Sequence, residues 1–306
     1  MDSTPFITPQ ELAARLETPA QHSGGRPVVL DVRWSLGGGA DPGAFATGHV
    51  PGALFLDLEE VLTGPVGPDG AGGRHPLPAA SSVRTWLDAR GIPGEQPVVV
   101  LDAGHGAGAA RAWWVLRDAG QQDVSVLEGG LDAWQEAGLP VEPGSAASTP
   151  PPEPPGPDDS GTDPDGGHTL PLVDAEDLLA GLPPGVVLLD ARPAPRYRGE
   201  ELGPDPVGGH VPGAVNLPAG SLYERGRLRA LEELRQRFAD AGVGPATPVV
   251  ASCGSGITAT QLVLAHQQAF PEAPEPTLYA GSFSDWISDP ARPRAQGPEP
   301  GEMPGR

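Results

Sequence analysis

The stretch Thr247-Pro248-Val249-Val250-Ala251-Ser252-Cys253-Gly254-Ser255-Gly256-Ile257-Thr258, continued by Ala259-Thr260-Gln261-Leu262-Val263-Leu264-Ala265, reads as a short apolar strand, a tight turn opened by a cysteine, and a helix. A continuous apolar run bounded by turn residues suits a strand buried on both faces. Gly254 and Gly256 allow backbone dihedrals that other residues avoid, so the turn can aim several N–H groups at one spot. The helix that follows brings the positive end of its dipole to the same place. A thiol held there is set up as a nucleophile. Cys253 is the only cysteine in the chain.

Working outward, the same order of landmarks occurs twice. Val28-Val29-Leu30-Asp31-Val32-Arg33 is matched by Val186-Val187-Leu188-Leu189-Asp190-Ala191-Arg192. Gly48-His49-Val50-Pro51-Gly52-Ala53 is matched by Gly209-His210-Val211-Pro212-Gly213-Ala214. Val98-Val99-Val100-Leu101-Asp102-Ala103-Gly104-His105-Gly106 stands where the second half has the run into Cys253. Glu128-Gly129-Gly130-Leu131-Asp132-Ala133-Trp134 corresponds to Ala280-Gly281-Ser282-Phe283-Ser284-Asp285-Trp286. Helical stretches are expected at Ser81–Gly91, Ala109–Ala119, Leu228–Ala241 and Thr258–Gln268. Alternating strands and helices imply an α/β fold with a mostly parallel sheet, whose ligands sit at the carboxyl ends of the strands. The turn at Cys253 occupies that position.

The expected organisation is a first domain over 1–142, a linker over 143–170, a second domain over 171–292 and a tail over 293–306. The linker is rich in Pro, Gly, Ser, Thr and Asp, a composition that cannot bury enough apolar surface to fold. The tail from about Pro293 shares that bias, so poor order is expected there too.

The formal net charge of −21 argues against nucleic acid or an anionic membrane as partner. An anionic substrate would need a local cluster of cations working against that field. All 19 cationic residues are arginines, so no lysine serves as base, Schiff-base former or point-charge clamp. A single cysteine excludes a disulfide framework and a cysteine-based zinc site. Met1–Leu16 has neither a basic n-region nor an apolar h-region, and a cytoplasmic location is expected.

These landmarks resemble the rhodanese family, specifically its tandem two-domain sulfurtransferases acting on thiosulfate or 3-mercaptopyruvate. The resemblance implies two rhodanese-like α/β domains, of which only the second carries the nucleophile, with Asp102 in the corresponding place of the first. It implies that Cys253 takes a sulfane sulfur from a small anionic donor, becomes a persulfide, and passes the sulfur to cyanide or a thiol such as thioredoxin or a low-molecular-weight thiol. No cofactor or metal is expected. The loop Cys253-Gly254-Ser255-Gly256-Ile257-Thr258 is similar to the mercaptopyruvate-type loop, with Ile in place of Val, whereas thiosulfate-type loops carry two cations after the cysteine. Arg196 matches the arginine that grips the donor's anionic group, and a guanidinium fork suits a carboxylate. Where mercaptopyruvate enzymes have a second arginine, this chain has Glu200-Glu201-Leu202-Gly203-Pro204-Asp205. His75, in His75-Pro76-Leu77-Pro78, resembles a first-domain histidine that moves protons with the loop serine. Its usual aspartate partner is replaced near Thr63, with Asp69 as a candidate substitute.

Recurrence in both halves marks His49, His210, Asp31, Arg33, Asp190 and Arg192 as scaffold, with the Asp190–Arg192 pair also able to buttress the site. Arg196 has no first-half counterpart, which points to function. Trp113 and Trp114 read as packing residues, and Arg198 reads equally as a surface residue. Two other functions compete. Cysteine phosphatases and arsenate reductases of this fold need an arginine six positions after the cysteine, and position 259 is alanine. A thiosulfate-specific enzyme, or a non-enzymatic persulfide carrier, would keep Cys253 but dispense with the histidine relay.

Overall fold

The computed structural model describes residues 4–17, 25–144 and 167–303. Two α/β units result, each built on a parallel sheet. In the first, the strand order is Phe6–Ile7, Val124–Leu127, Val98–Leu101, Val28–Asp31, Leu54–Phe55, with every neighbouring pair parallel. The second repeats the centre of that sheet as Thr277–Leu278, Val249–Ser252, Val187–Asp190, Val215–Asn216, again all parallel. Val98, Val99, Val100 and Leu101 are all buried, as are Val249 to Ser252. That explains why these strands are unbroken apolar runs without polar alternation. Each such aliphatic side chain contributes about 1.5–3 kcal/mol when fully buried. The register pairs Ser252 with Asp190 and Leu101 with Asp31, so in both halves the Asp-x-Arg element ends beside the catalytic-type loop.

The helices that leave the two loops, Ala107–Asp118 and Ile257–Ala269, pack against each other and join the two domains through one continuous core. The loops before them therefore meet at the domain interface. Trp113 and Trp114 are buried in that core. Helix bounds differ from the sequence expectation by a few residues. The 228–241 helix begins only at Leu231, because Arg227–Leu228 first pairs with Tyr223–Glu224 in a small antiparallel hairpin. The 81–91 helix spans Ala80–Asp88, starts without a side-chain cap, and reverses at Gly91 with φ +67°.

Most of the expected linker, residues 145–166, lies outside the described residues. Its C-terminal end is tethered: Thr169 and Leu170 donate their N–H groups to Asp118, and His168 pairs with the same carboxylate at 2.5 Å. The tail departs from expectation. Residues 293–303 do not trail away but lie along the second domain. His210 and Ala295 exchange backbone hydrogen bonds, Gly213 donates to the carbonyl of Pro300, and Trp286 Nε1 donates to that of Pro293. The first half does the same with His49 and Glu142. Composition hid this because one isolated bridge needs no apolar pattern. Among the described residues, no helix is long and apolar enough to cross a membrane.

Candidate active site

Cys253 ends the central strand of the second sheet, with its side chain buried. The N–H of Gly256 donates to Sγ at 3.1 Å and that of Ser255 at 3.4 Å, while the Ser282 hydroxyl lies 3.8 Å away. These donors favour negative charge on the sulfur. Gly256 makes the curl possible: its φ is +82°, and a β-carbon there would sit 2.2 Å from the carbonyl oxygen of Ala280. Ser282 braces the base of the turn. Its Oγ accepts the N–H of Cys253 at 3.0 Å and donates to the carbonyl of Tyr279 at 2.9 Å. It does so at φ +53°, a left-handed conformation unusual for serine, where the first half has Gly130 at +58°. Strain of this kind is kept where the side chain has work to do.

The first-domain loop forms the same cradle and fills it. Asp102 Oδ1 accepts the N–H groups of Gly104, His105 and Gly106 at 2.9–3.1 Å, and Oδ2 that of Ala109 at 3.4 Å. A carboxylate on the chain itself occupies the anion position that Cys253 Sγ occupies in the second half.

A cleft of about 280 Å³ opens in front of the Cys253 loop, lined by Gly254, Ser255, Ile257 and Thr258, by Trp34 and Leu36 from the first domain, and by Arg74, Arg192 and Arg196. Three arginines converge here in a protein of net charge −21. Arg192 is spoken for: its fork grips Asp190, Nη2 to Oδ2 at 2.6 Å, and Nη2 also donates to the carbonyl of Gly209. Arg33, Asp31 and Gly48 repeat that arrangement in the first half. Arg196 Nη2 pairs with Asp205 at 2.6 Å, and Arg74 Nη1 pairs with the other oxygen of the same buried carboxylate. A β-carbon at Gly254 would lie 3.1 Å from Nη2 of both Arg74 and Arg196. Position 254 is small because cations from outside the loop already stand over it. Arg198 pairs with Glu200 at the surface, away from the cleft.

His75 reaches the loop across the domain interface, its Nδ1 2.9 Å from Ser255 Oγ. On the other side, Nε2 lies 3.6 Å from Glu59 Oε1, which also accepts the Trp34 indole N–H at 2.8 Å. The carboxylate beside His75 is therefore Glu59, not Asp69 or a group at Thr63. Thr63 hydrogen-bonds back to the carbonyl of Leu58. A proton on Nε2 facing Glu59 leaves Nδ1 free to accept from the Ser255 hydroxyl. Burial pushes the His75 imidazole below its ordinary value, with the Glu59 charge opposing and Arg111 and Arg74 reinforcing.

Arg111 escaped the sequence reading altogether. It projects from the first-domain helix, fully buried, and donates to the carbonyls of Leu62, His75, Pro76 and Gly256. Its printed hydrogen bonds reach no carboxylate. Burial pushes it down to about 10, and the charge of Cys253 is the opposing influence. Arg111 thus stitches the His75 segment to the cysteine loop. His49 and His210 stack on Phe45 and Tyr197 and hydrogen-bond to backbone carbonyls, well inside the scaffold. The signals that could have found the missed groups are faint: Arg74 adjoins His75, Glu59 sits one helical turn before Thr63, and Ser282 replaces a duplicated glycine.

Comparison with known proteins gives consistent findings. A sequence model of the Rhodanese-like domain matches residues 8–137 and 174–289. The chain is 43% identical over 305 residues to a "Probable 3-mercaptopyruvate sulfurtransferase" of Pseudomonas aeruginosa, covering 97% of this chain and 100% of that protein. It is 32% identical to a thiosulfate sulfurtransferase of Gallus gallus, over 85% of this chain and 86% of that one. The crystal structure of SseA from Escherichia coli, a 3-mercaptopyruvate sulfotransferase, superimposes with a TM-score of 0.71 at 31% identity, over 92% of this chain and all of that one.

Proposed function

Because this chain belongs to the rhodanese family of sulfurtransferases, we propose that Cys253 is its sulfur carrier and 3-mercaptopyruvate its preferred donor. The chain is an enzyme that moves sulfane sulfur from a thiosulfate- or 3-mercaptopyruvate-type donor to a thiol or cyanide acceptor through a cysteine-bound intermediate.

In the first half-reaction, the Cys253 thiolate attacks the thiol sulfur of mercaptopyruvate. An S–S bond forms as the C–S bond breaks, and the electron pair stays on carbon as the enolate of pyruvate. The persulfide gives up the proton that came with the donor thiol, and the enolate gains one to become pyruvate. Ser255, hydrogen-bonded to His75 Nδ1, is positioned to move that proton, with Glu59 holding the imidazole in the accepting tautomer. In the second half-reaction, an acceptor thiolate or cyanide attacks the outer sulfur and Cys253 leaves as thiolate. Two half-reactions through one covalent intermediate predict ping-pong kinetics. Thioredoxin or a low-molecular-weight thiol fits as acceptor, since the chemistry requires only an accessible thiolate. In donor binding, Arg196 faces the carboxylate, while Gly254, Ser255, Gly256, Ile257 and Thr258 form the wall and the N–H cradle.

The observation that carries the donor assignment is the Ser255–His75 hydrogen bond. Thiosulfate loses sulfite as a stable anion and needs no proton, so a relay in the loop has a use only for a donor whose leaving carbon must be protonated. The test is intact mass after incubation with each donor. A gain of one sulfur with 3-mercaptopyruvate, absent in Cys253→Ser, and a higher turnover than with thiosulfate are expected. Faster transfer from thiosulfate would overturn the donor assignment, and no gain with either donor would overturn the role of Cys253.

A further inference from the structure

The Arg196 side chain does not face the cleft alone. Arg74, from the first domain, stands beside it, and the two Nη2 atoms are equally far, 3.1 Å, from the β-carbon position of Gly254. Arg74 is fixed from three directions. Its backbone N–H donates to Ser284 Oγ at 3.0 Å, Nη2 donates to the carbonyl of Gly254 at 3.2 Å, and Nη1 is paired with Asp205. Asp205 takes its second partner in Arg196, and its side chain is only 1% exposed. The Arg74 side chain is 28% exposed and the Arg196 side chain 12%. A molecule entering the cleft therefore meets two guanidinium edges, with the carboxylate that organises them hidden behind. Arg192 adds no free charge, since Asp190 neutralises it. Two guanidinium charges against one carboxylate leave a single net positive charge at the donor position.

We propose that Arg74 is a donor-binding residue supplied by the first domain, and that buried Asp205 sets the site's charge to one net positive, matched to a monoanionic carboxylate and under-matched to the thiosulfate dianion. The inference rests on Cys253 as the sulfur carrier and on Arg196 as a donor contact. It resolves the absence of a second arginine between Arg196 and His210: the second guanidinium arrives from across the domain interface, and the residue in the loop is its counter-ion. Fork-shaped donors held rigidly by a shared carboxylate lose little freedom when a second carboxylate docks in front of them.

The test is steady-state kinetics of the full chain with each donor and cyanide as acceptor. Arg74→Gln is expected to raise KM for 3-mercaptopyruvate about tenfold or more with a smaller change in kcat, since it removes one of two charges from the anion's position. Asp205→Asn raises the net charge by one, and the ratio of kcat/KM for thiosulfate over 3-mercaptopyruvate is expected to rise about tenfold, because the dianion gains more from the added charge. Either single change leaves a buried charge less well paired, so the double variant Arg74→Gln/Asp205→Asn, which removes the pair together, is measured alongside with its melting temperature. A double variant that melts like the parent yet keeps the KM defect supports donor binding. A KM unchanged in Arg74→Gln, or a defect that disappears in the double variant as stability returns, assigns the pair to holding the domains together and overturns the proposal. So does a donor ratio unmoved by Asp205→Asn. Intact mass of the parent protein separates the two readings: if the parent gains no sulfur, the Cys253 reading itself fails. If it does gain sulfur and Arg74→Gln binds donors normally, only this inference falls.

Discussion

Acidification tests how the helix carrying the cysteine loop is anchored. His266 lies near the far end of Ile257–Ala269, 1% exposed, with the rings of Phe238 and Phe270 at centroid distances of 5.5 and 5.2 Å. Neither ring nitrogen has a hydrogen-bond partner, and burial pushes the imidazole down to about 4. The unfolded chain takes up its proton near an ordinary value of about 6.5. Between these two values the unfolded state binds more protons than the folded one, so stability falls as pH falls. The full effect, about 2.5 pH units at about 1.4 kcal/mol each, is roughly 3 kcal/mol below pH 4, of which about 2 kcal/mol is lost by pH 5. Urea unfolding of the parent and of His266→Leu at pH 7 and pH 5 isolates this group, because all other titrating residues are common to both. The parent is expected to lose about 2 kcal/mol more than the variant between the two pH values. Equal losses would show that His266 either finds a partner or titrates normally, and would refute the anchoring argument.

Other consequences are as direct. Ser282→Gly removes a left-handed serine, which favours stability by about 1 kcal/mol, but deletes the brace on the Cys253 N–H. A melting temperature held or raised, with persulfide formation slowed about tenfold in rapid-quench mass measurements, is expected. Asp102→Ala empties the first-domain cradle and strands four donors. A loss of about 2–4 kcal/mol by urea unfolding is expected, and a smaller loss in Asp102→Asn. Ser255→Ala and His75→Asn should cut 3-mercaptopyruvate turnover by roughly 10²-fold while thiosulfate turnover changes little, and equal losses with both donors would remove the relay from the mechanism. Because Glu59 raises the His75 pKa against burial, Glu59→Gln should move the acid limb of the 3-mercaptopyruvate pH profile to lower pH, and a shift the other way would contradict the geometry.

The parts of this molecule that depend on neighbours in the chain were legible in the sequence. Apolar quartets became buried strands, the glycines of the loop became its turn, and each Asp-x-Arg became a two-residue ion pair at a strand end. The parts that depend on distant segments were not. Arg74 meets an aspartate 131 positions away, and Arg111 meets a loop 145 positions away. Nothing in the local pattern of either residue distinguishes it from a surface arginine. Glu59 was hidden differently, since the helix that carries it is only four residues long and its aim is fixed by the Trp34 indole.

The duplicated loops explain why the two halves divide the labour. In the first, Asp102 is long enough to reach its own cradle and consumes the backbone donors, so no external anion can use them. In the second, the Cys253 sulfur receives only two backbone N–H groups and a distant hydroxyl, leaving capacity for the extra charge of a second sulfur. That loop has no room for a cationic side chain at position 254, because two guanidiniums already cover it. Positive charge and proton transfer must then be delivered from outside, and the partner helix packed against Ile257–Ala269 brings with it the segments that hold Arg74, His75 and Arg111. The half without a nucleophile is thus a working wall of the site. A second domain produced alone would keep the thiol and its cradle but lose the relay, one of the two donor-facing arginines and the buried guanidinium behind the loop.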